Sequence, residues 1–293
     1  QRLPRLAMGS QQGLPRVYGI AAFLIAHLDG LLDMESVAAF VRAYQSVETL
    51  KLGELWAIPI MLRLALIENL RRTAGLLAQR RRDLDRGLAW AQRIEEIIAT
   101  NPRQILAVLA QFAEENRTLS APFLAELTGR LRSQGSSVTL VLNWIDQALA
   151  EESTTVAQRL HQDGRQQAAE QLTVTNSIGS LRSLDAADWK EFVEEQSRVE
   201  QILRRDPLGA YALQYFATRD HYRHIVERLA ERSGRSESEV ATMALERALA
   251  GEAKPDCQRA RHVGSYLVGG HRFMFRKEVG CPWTLRYAIS LLL

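Results

Sequence analysis

The chain has 293 residues, of which 46% are hydrophobic and 24% charged. Those are ordinary values for a folded soluble protein, long enough for one large core or two smaller ones. Two cysteines, Cys257 and Cys281, exclude a disulfide framework, and net charge is only +3 although the pI is 9.0. The basic excess is local. Eight arginines lie between Arg63 and Arg93 against Glu68, Asp83 and Asp85, which leaves the rest of the chain at −2. Ala, Leu, Glu, Gln and Arg dominate, and these residues lose little rotamer freedom in a helix.

Residues 1–16 carry Pro4, Gly9, Gly13 and Pro15 and read as an N-terminal arm. Helical periodicity starts at Val17 and runs to Gly30; Asp33 caps a second helix bearing Val37, Phe40, Val41 and Tyr44. From Leu55 to Ile67 only Arg63 is charged. A helix apolar nearly all round belongs inside a packed body or a membrane, and this stretch is shorter than the about 20 residues a span requires. Residues 52–70 therefore read as a buried central helix. Pro59 predicts a kink or a fresh start inside it. Arg63 then needs a buried carboxylate, with Glu54 or one from another helix as the expected partner.

Beyond Ile67 an arginine-rich helix continues to Ile98 and is ended by Asn101-Pro102. Arg71, Arg72, Arg80, Arg81, Arg82 and Arg86 form its basic face. That face fits an anionic membrane surface, or else a solvated helix with neighbouring salt bridges. Shorter helices follow over about 103–115, 120–134, 138–150 and 156–172. Thr173–Ser183, TVTNSIGSLRS, reads as a loop or short strand, because its β-branched and glycine residues favour extended backbone. It divides a first helical half, 17–172, from a second, 184–254. There, Asp185 precedes a helix to about Arg204, Asp206-Pro207 opens the next, and Thr218 caps a third that Gly234 ends. Ser236 and Glu239 form a capping box for a helix reaching Gly251. The fold expected is all-α, an irregular bundle of about ten helices. A solenoid is the variant, although no consensus repeats at a fixed period.

No catalytic signature is present. The chain lacks a phosphate-binding glycine loop, a His-Glu-x-x-His helix and a nucleophile elbow. Asp83-Leu84-Asp85 matches a sugar-nucleotide Asp-x-Asp only superficially, since it falls in an arginine-rich helix. Glutamate pairs such as Glu95/Glu96 and Glu194/Glu195 read as solvated faces, and four of the five tryptophans (56, 90, 144, 189, 283) lie on apolar helix faces as core. His262 and His271 lie between the two cysteines at spacings that do not suit zinc.

Leu52–Arg72 (LGELWAIPIMLRLALIENLRR) resembles the N-terminal region of bacterial cyclic β-1,2-glucan synthases. Further segments look similar in the same order: Pro15–Tyr18, Leu119–Leu127 (LSAPFLAEL), Asn176–Arg182 (NSIGSLR) with Asp188-Trp189, Phe216–Glu227 (FATRDHYRHIVE) and Ala260–Leu267 (ARHVGSYL). The resemblance covers about residues 14–268. It implies a non-catalytic helical region of a very large inner-membrane enzyme that polymerises glucose from UDP-glucose and closes the product into a ring. The region would lie on the cytoplasmic side and support or dock the membrane transferase, with the remaining domains of that synthase as its partners. UDP-glucose and a divalent metal are implied for the full-length enzyme only; no cofactor and no catalytic residue carries over to this chain. Residues 255–293 are expected to be a divergent tail, juxtamembrane or altered by a reading-frame change, departing from the pattern after about Val268. The chain opens on Gln1 and stops on AISLLL, so it reads as a piece of something longer. The alternative is a stand-alone helical interaction module binding anions through its arginine face. Nucleic acid is not expected, because no reading module accompanies the basic residues.

Overall fold

A computed structural model describes residues 3–9, 11–251 and 258–281. Among them the only secondary structure beyond helices and turns is an isolated antiparallel bridge, Arg5 with Pro15. The α-helices are α1 (Arg16–His27), α2 (Met34–Gln45), α3 (Leu52–Thr100), α4 (Ile105–Glu115), α5 (Ala121–Leu131), α6 (Thr139–Glu151), α7 (Val156–Ala186), α8 (Trp189–Gln196), α9 (Arg198–Leu203), α10 (Phe216–Ser233), α11 (Glu237–Gly251), α12 (Gly264–Leu267) and α13 (Arg272–Val279). The chain is all-α. None of these helices is long and apolar enough to cross a membrane.

The chain divides into two compact units, 1–24 with 32–64 and 182–293, and 25–31 with 65–181. In the first, α9 to α13 enclose one core. Ala241, Ala244 and Ala248 on α11 are fully buried at helical spacing and let neighbouring helices approach closely, while Val199, Leu203, Val226, Leu229, Phe275 and Val279 fill the space around them. Each such large side chain taken out of water contributes about 1.5–3 kcal/mol. The N-terminal arm folds back through Leu6, whose N–H donates to the Leu14 carbonyl at 2.9 Å. The expected capping box forms reciprocally: the Ser236 N–H donates to Glu239 (2.7 Å) and the Glu239 N–H to the Ser236 hydroxyl (3.2 Å).

The second unit is centred on Phe112 of α4. Trp90 and Trp144 each meet its ring edge-on at 5.2 Å, and Phe123 stacks on it at 6.0 Å. Leu124, Leu127, Ile145 and Leu149 complete this core. Both tryptophans therefore work as packing, as their helix faces imply.

Several expectations are corrected. Residues 173–183 are neither loop nor strand but the penultimate turns of α7. Their small side chains pack rather than extend the chain. Ser177 and Ser180 are buried, the Ser180 hydroxyl donates to the Gly30 carbonyl (2.7 Å), and Asn69 donates to Ser177 (3.2 Å). Gly30 has φ +77°, and a Cβ there would overlap the Ser177 oxygen. Tertiary burial outweighs the few tenths of a kcal/mol by which Thr, Val and Ser disfavour helix.

Pro59 neither restarts nor ends α3, which is helical throughout its 49 residues. Nor is the central stretch buried all round, since Ile60, Leu64 and Ile67 are exposed along one face. The single helix expected from Asp185 to Arg204 is two. Asp188, not Asp185, caps α8 by accepting from the N–H groups of Lys190 and Glu191. Ser197 then takes an extended conformation and caps α9. Asp206-Pro207 opens no helix, because the Asp206 carboxylate is spent elsewhere, on the N–H of Val263 (2.9 Å) and on His262 (2.8 Å). Tyr215, not Thr218, stands at the N-cap of α10. The divergent tail is partly core, with Phe275 and Val279 of α13 buried in the first unit; residues 282–293, including Trp283, lie outside the described residues.

Candidate functional site: a buried ion network behind a polar cleft

The densest polar chemistry lies in the first unit, where the short turn between α8 and α9 faces α10 on one side and α2 on the other. The cause is local. Ser197 interrupts the helix, so Glu194 at the end of α8 and Glu200 at the start of α9 both reach the same side. There α10 presents Arg219 and Arg223, four residues apart and so one above the other on its surface.

Arg223 is fully buried. Its Nη1 donates to Glu200 at 2.5 Å and to Glu194 at 3.1 Å, and its Nη2 donates to Asp220 at 3.1 Å. Arg219 holds Glu194 in a fork, with Nη2 at 2.7 Å from both carboxylate oxygens, and Arg204 donates to Glu200 at 2.8 Å. The Tyr211 hydroxyl donates to Glu200 at 2.6 Å, and the Phe216 ring lies 5.1 Å from the Arg223 guanidinium carbon. Three arginines meet three carboxylates, so the network closes on itself electrically. Burial by itself would raise the Glu194 carboxyl, yet donation from Arg219 and Arg223 holds it below its ordinary value. Burial, with Glu200 alongside, pushes the Tyr211 hydroxyl well above its ordinary range and keeps it a donor.

Such a cluster orients helices. Its three carboxylates are each neutralised by arginines, and His224 stands at its edge against Asp220 at 3.2 Å. Breaking it is expensive, because one missing partner strands a buried charge.

On the other side of the same turn, α2 and the α8–α9 turn leave a cleft of about 330 Å³ lined entirely by polar residues, among them Arg42, Ser46, Glu195, Gln196 and Arg198. Gln45 ties its two walls by donating to the Gln196 carbonyl at 2.9 Å. Glu195 faces outward, so the Glu194/Glu195 pair that reads as a solvated face is divided between network and cleft.

The residues singled out in the sequence are distributed differently. Glu54 and Arg63 are not partners: nine residues apart on one helix, they are separated by about 13.5 Å of rise. Glu54, 1% exposed, is held by Arg16 from α1 at 2.6 and 2.7 Å, and Arg16 also reaches Glu48. Arg63 is only half-buried and pairs with the exposed Asp185 at 2.9 Å. In the basic stretch Arg71 pairs with Glu68, Arg72 donates to Asn69, Arg80 is forked on Asp163, Arg81 pairs with Asp85 (3.3 Å), and Arg82 donates to Gln79. Arg86 donates to Asn116 at 2.8 Å and lies over the Phe123 ring. Each of the six arginines has a protein partner, and Asp83 and Asp85 are occupied by arginines.

No group of three or more His, Cys, Asp or Glu residues among those described could hold a metal ion; Cys257 lies outside them.

The sequence offered one overlooked signal for the network. Arg223 falls in the apolar stripe of Tyr222, Val226, Leu229 and Ala230, an anomaly of the same kind as Arg63. Asp220, three residues before it, is a partner that spacing could suggest, but Glu194 and Glu200 come from α8 and α9 and could not be read that way.

No protein-family model matches the chain. It is 34% identical over 287 residues to the cyclic beta-(1,2)-glucan synthase NdvB of Rhizobium meliloti (strain 1021), a match taking in 96% of this chain and 10% of that protein. The chain is related to a segment of a cyclic β-(1,2)-glucan synthase. It spans about a tenth of the length of this glucan synthase relative. The matched 96% of the chain is a longer stretch than the expected 14–268.

Proposed function

We propose that this chain is a non-catalytic helical region of a cyclic β-1,2-glucan synthase that supports or docks the membrane glycosyltransferase domain. The observation that carries the reading is the near-complete match of the chain to one tenth of such a synthase. The ion network is in keeping with it, since its charged groups are consumed in holding α8, α9 and α10 together. On this reading the partners are the remaining domains of the synthase, and the region works at the cytoplasmic face of the inner membrane. UDP-glucose and its metal are handled by those other domains.

The experiment is a deletion. Membranes carrying a full-length synthase without this region are assayed for incorporation of glucose from UDP-glucose and for the fraction of product that is cyclic. The expected result is loss of cyclic product with the synthase still present in the membrane, while the isolated chain transfers no glucose. Unchanged cyclic glucan after deletion, or transfer by the isolated chain, contradicts the proposal.

A further inference from the structure

The outer face of α13 combines positive charge with exposed apolar surface. Its sequence is RFMFRKEV, and Phe275 and Val279, one turn apart, are buried in the core of the first unit. Helical geometry then turns Phe273, Met274 and Lys277 to the opposite side. Phe273 is 43% and Met274 76% exposed, and Lys277 is exposed beside them. Arg272 and Arg276 follow one flank of that face, and the Arg272 guanidinium carbon lies 4.7 Å from the Phe273 ring. On the other flank stands Glu278, the only acid of the helix, and Arg247 of α11 donates to it at 2.8 Å. Among the described residues, Arg272, Arg276 and Lys277 form no ion pair with a carboxylate. The arginines of α3 differ in this respect, since each of the six already has a protein partner.

We infer that α13 is a contact face for an anionic lipid bilayer, with Phe273 and Met274 entering the headgroup boundary and Arg272, Arg276 and Lys277 meeting lipid phosphates. Charge complementarity and the apolar pair select this occupant together. An anionic bilayer offers a negative surface with hydrocarbon directly beneath it. A nucleic acid backbone answers the charge and leaves Met274 unburied. The contact lies along the surface, because eight residues are far short of the about 20 that cross a bilayer. Direct lipid contact goes beyond the proposed supporting role and does not depend on it. Deleting the region can abolish cyclic glucan whether or not the isolated chain binds vesicles, and the reverse also holds.

Co-sedimentation of the 293-residue chain with vesicles tests the inference. Binding is expected to mixed phosphatidylglycerol–phosphatidylcholine vesicles and not to phosphatidylcholine alone, and it should weaken as salt is added. Lys277→Gln should weaken it roughly fivefold, the effect of one cation at such a surface. The double variant Phe273→Ser, Met274→Ser should weaken it at least about tenfold by removing apolar area that the bilayer buries. Arg81→Gln on α3 should leave it unchanged, and thermal melts of all variants should match that of the unaltered chain. Absence of binding to the mixed vesicles overturns the inference, as does equal binding to neutral ones. Vesicle binding that neither α13 variant alters overturns it too, and binding to duplex DNA without binding to vesicles overturns it in favour of nucleic acid.

Discussion

Arg223 and Glu200 meet at 2.5 Å with their side chains 0% and 1% exposed, joining α10 to the first turn of α9 in the interior of one unit. Pairs of this kind are costly to break although an apolar replacement of the whole pair can be tolerated. Arg223→Met is therefore expected to lower unfolding free energy by about 3–5 kcal/mol, since Glu200 and Glu194 stay buried without it. Adding Glu200→Met should recover part of that loss. Urea denaturation of the two single variants and the double variant gives the coupling; a strictly additive double variant would show that the pair does not act as a unit.

Two arginines with similar local sequence roles should behave differently. Arg16 neutralises the buried Glu54, whereas Arg63 pairs with the exposed Asp185 and donates to the Leu184 carbonyl. Arg16→Met is expected to cost about 3 kcal/mol and Arg63→Met at most about 1 kcal/mol. If denaturation midpoints show the larger loss for Arg63→Met, the assignment of the buried pair to Arg16 and Glu54 is wrong.

Glu237 gives the fold a pH dependence near neutrality. Burial, reinforced by the nearby Glu227 and Glu54 and opposed by the Leu52 N–H that donates to it at 2.9 Å, pushes its carboxyl up to about 7. The folded state then holds a proton more tightly than the unfolded state. Stability falls as pH rises from about 4.5 to about 7, by a few kcal/mol at most, and levels off above that. Glu194 and Asp206 are held below their ordinary values and act in the opposite sense; their contribution is present above the unfolded value and lost in more acidic solution. Urea midpoints measured from pH 5 to pH 8 should fall for the unaltered chain and stay nearly level for Glu237→Gln. Parallel profiles would remove Glu237 as the cause.

The helical reading of residues 173–183 is open to a direct check. Ser177 packs beneath Gly30, so Gly30→Ala combines a positive-φ penalty with overpacking and should cost about 2–4 kcal/mol. Amide exchange for residues 175–182 should be slow in the unaltered chain and faster in the variant. Fast exchange throughout this stretch of the unaltered chain would restore the loop.

The parts of the fold legible in advance were those written in local chemistry. Asp33, Gly234 and the Ser236–Glu239 box end or begin helices as their side chains dictate, and the apolar periodicities of α4 to α6 are the faces that surround Phe112. What spacing could not supply was partner choice across long sequence separations. Ser177 and Ser180 favour extended backbone until Gly30 lies against them; Asp206 reads as a cap until His262 claims it. The exposed face of Ile60, Leu64 and Ile67 escaped for the same reason, because an all-round apolar pattern has no preferred side. Arg223 was detectable only as a charge in an apolar stripe.

The central claim, that this helical region serves a glucan synthase without performing its chemistry, is tested most directly by exchange. The matching segment of the Rhizobium meliloti synthase is replaced by this chain, and cyclic glucan formed from UDP-glucose is measured in membranes holding equal amounts of each enzyme. The account predicts cyclic product comparable to that of the unaltered synthase, and much less when the inserted chain carries Arg223→Met. Absence of cyclic product from a folded, membrane-resident chimera would contradict it.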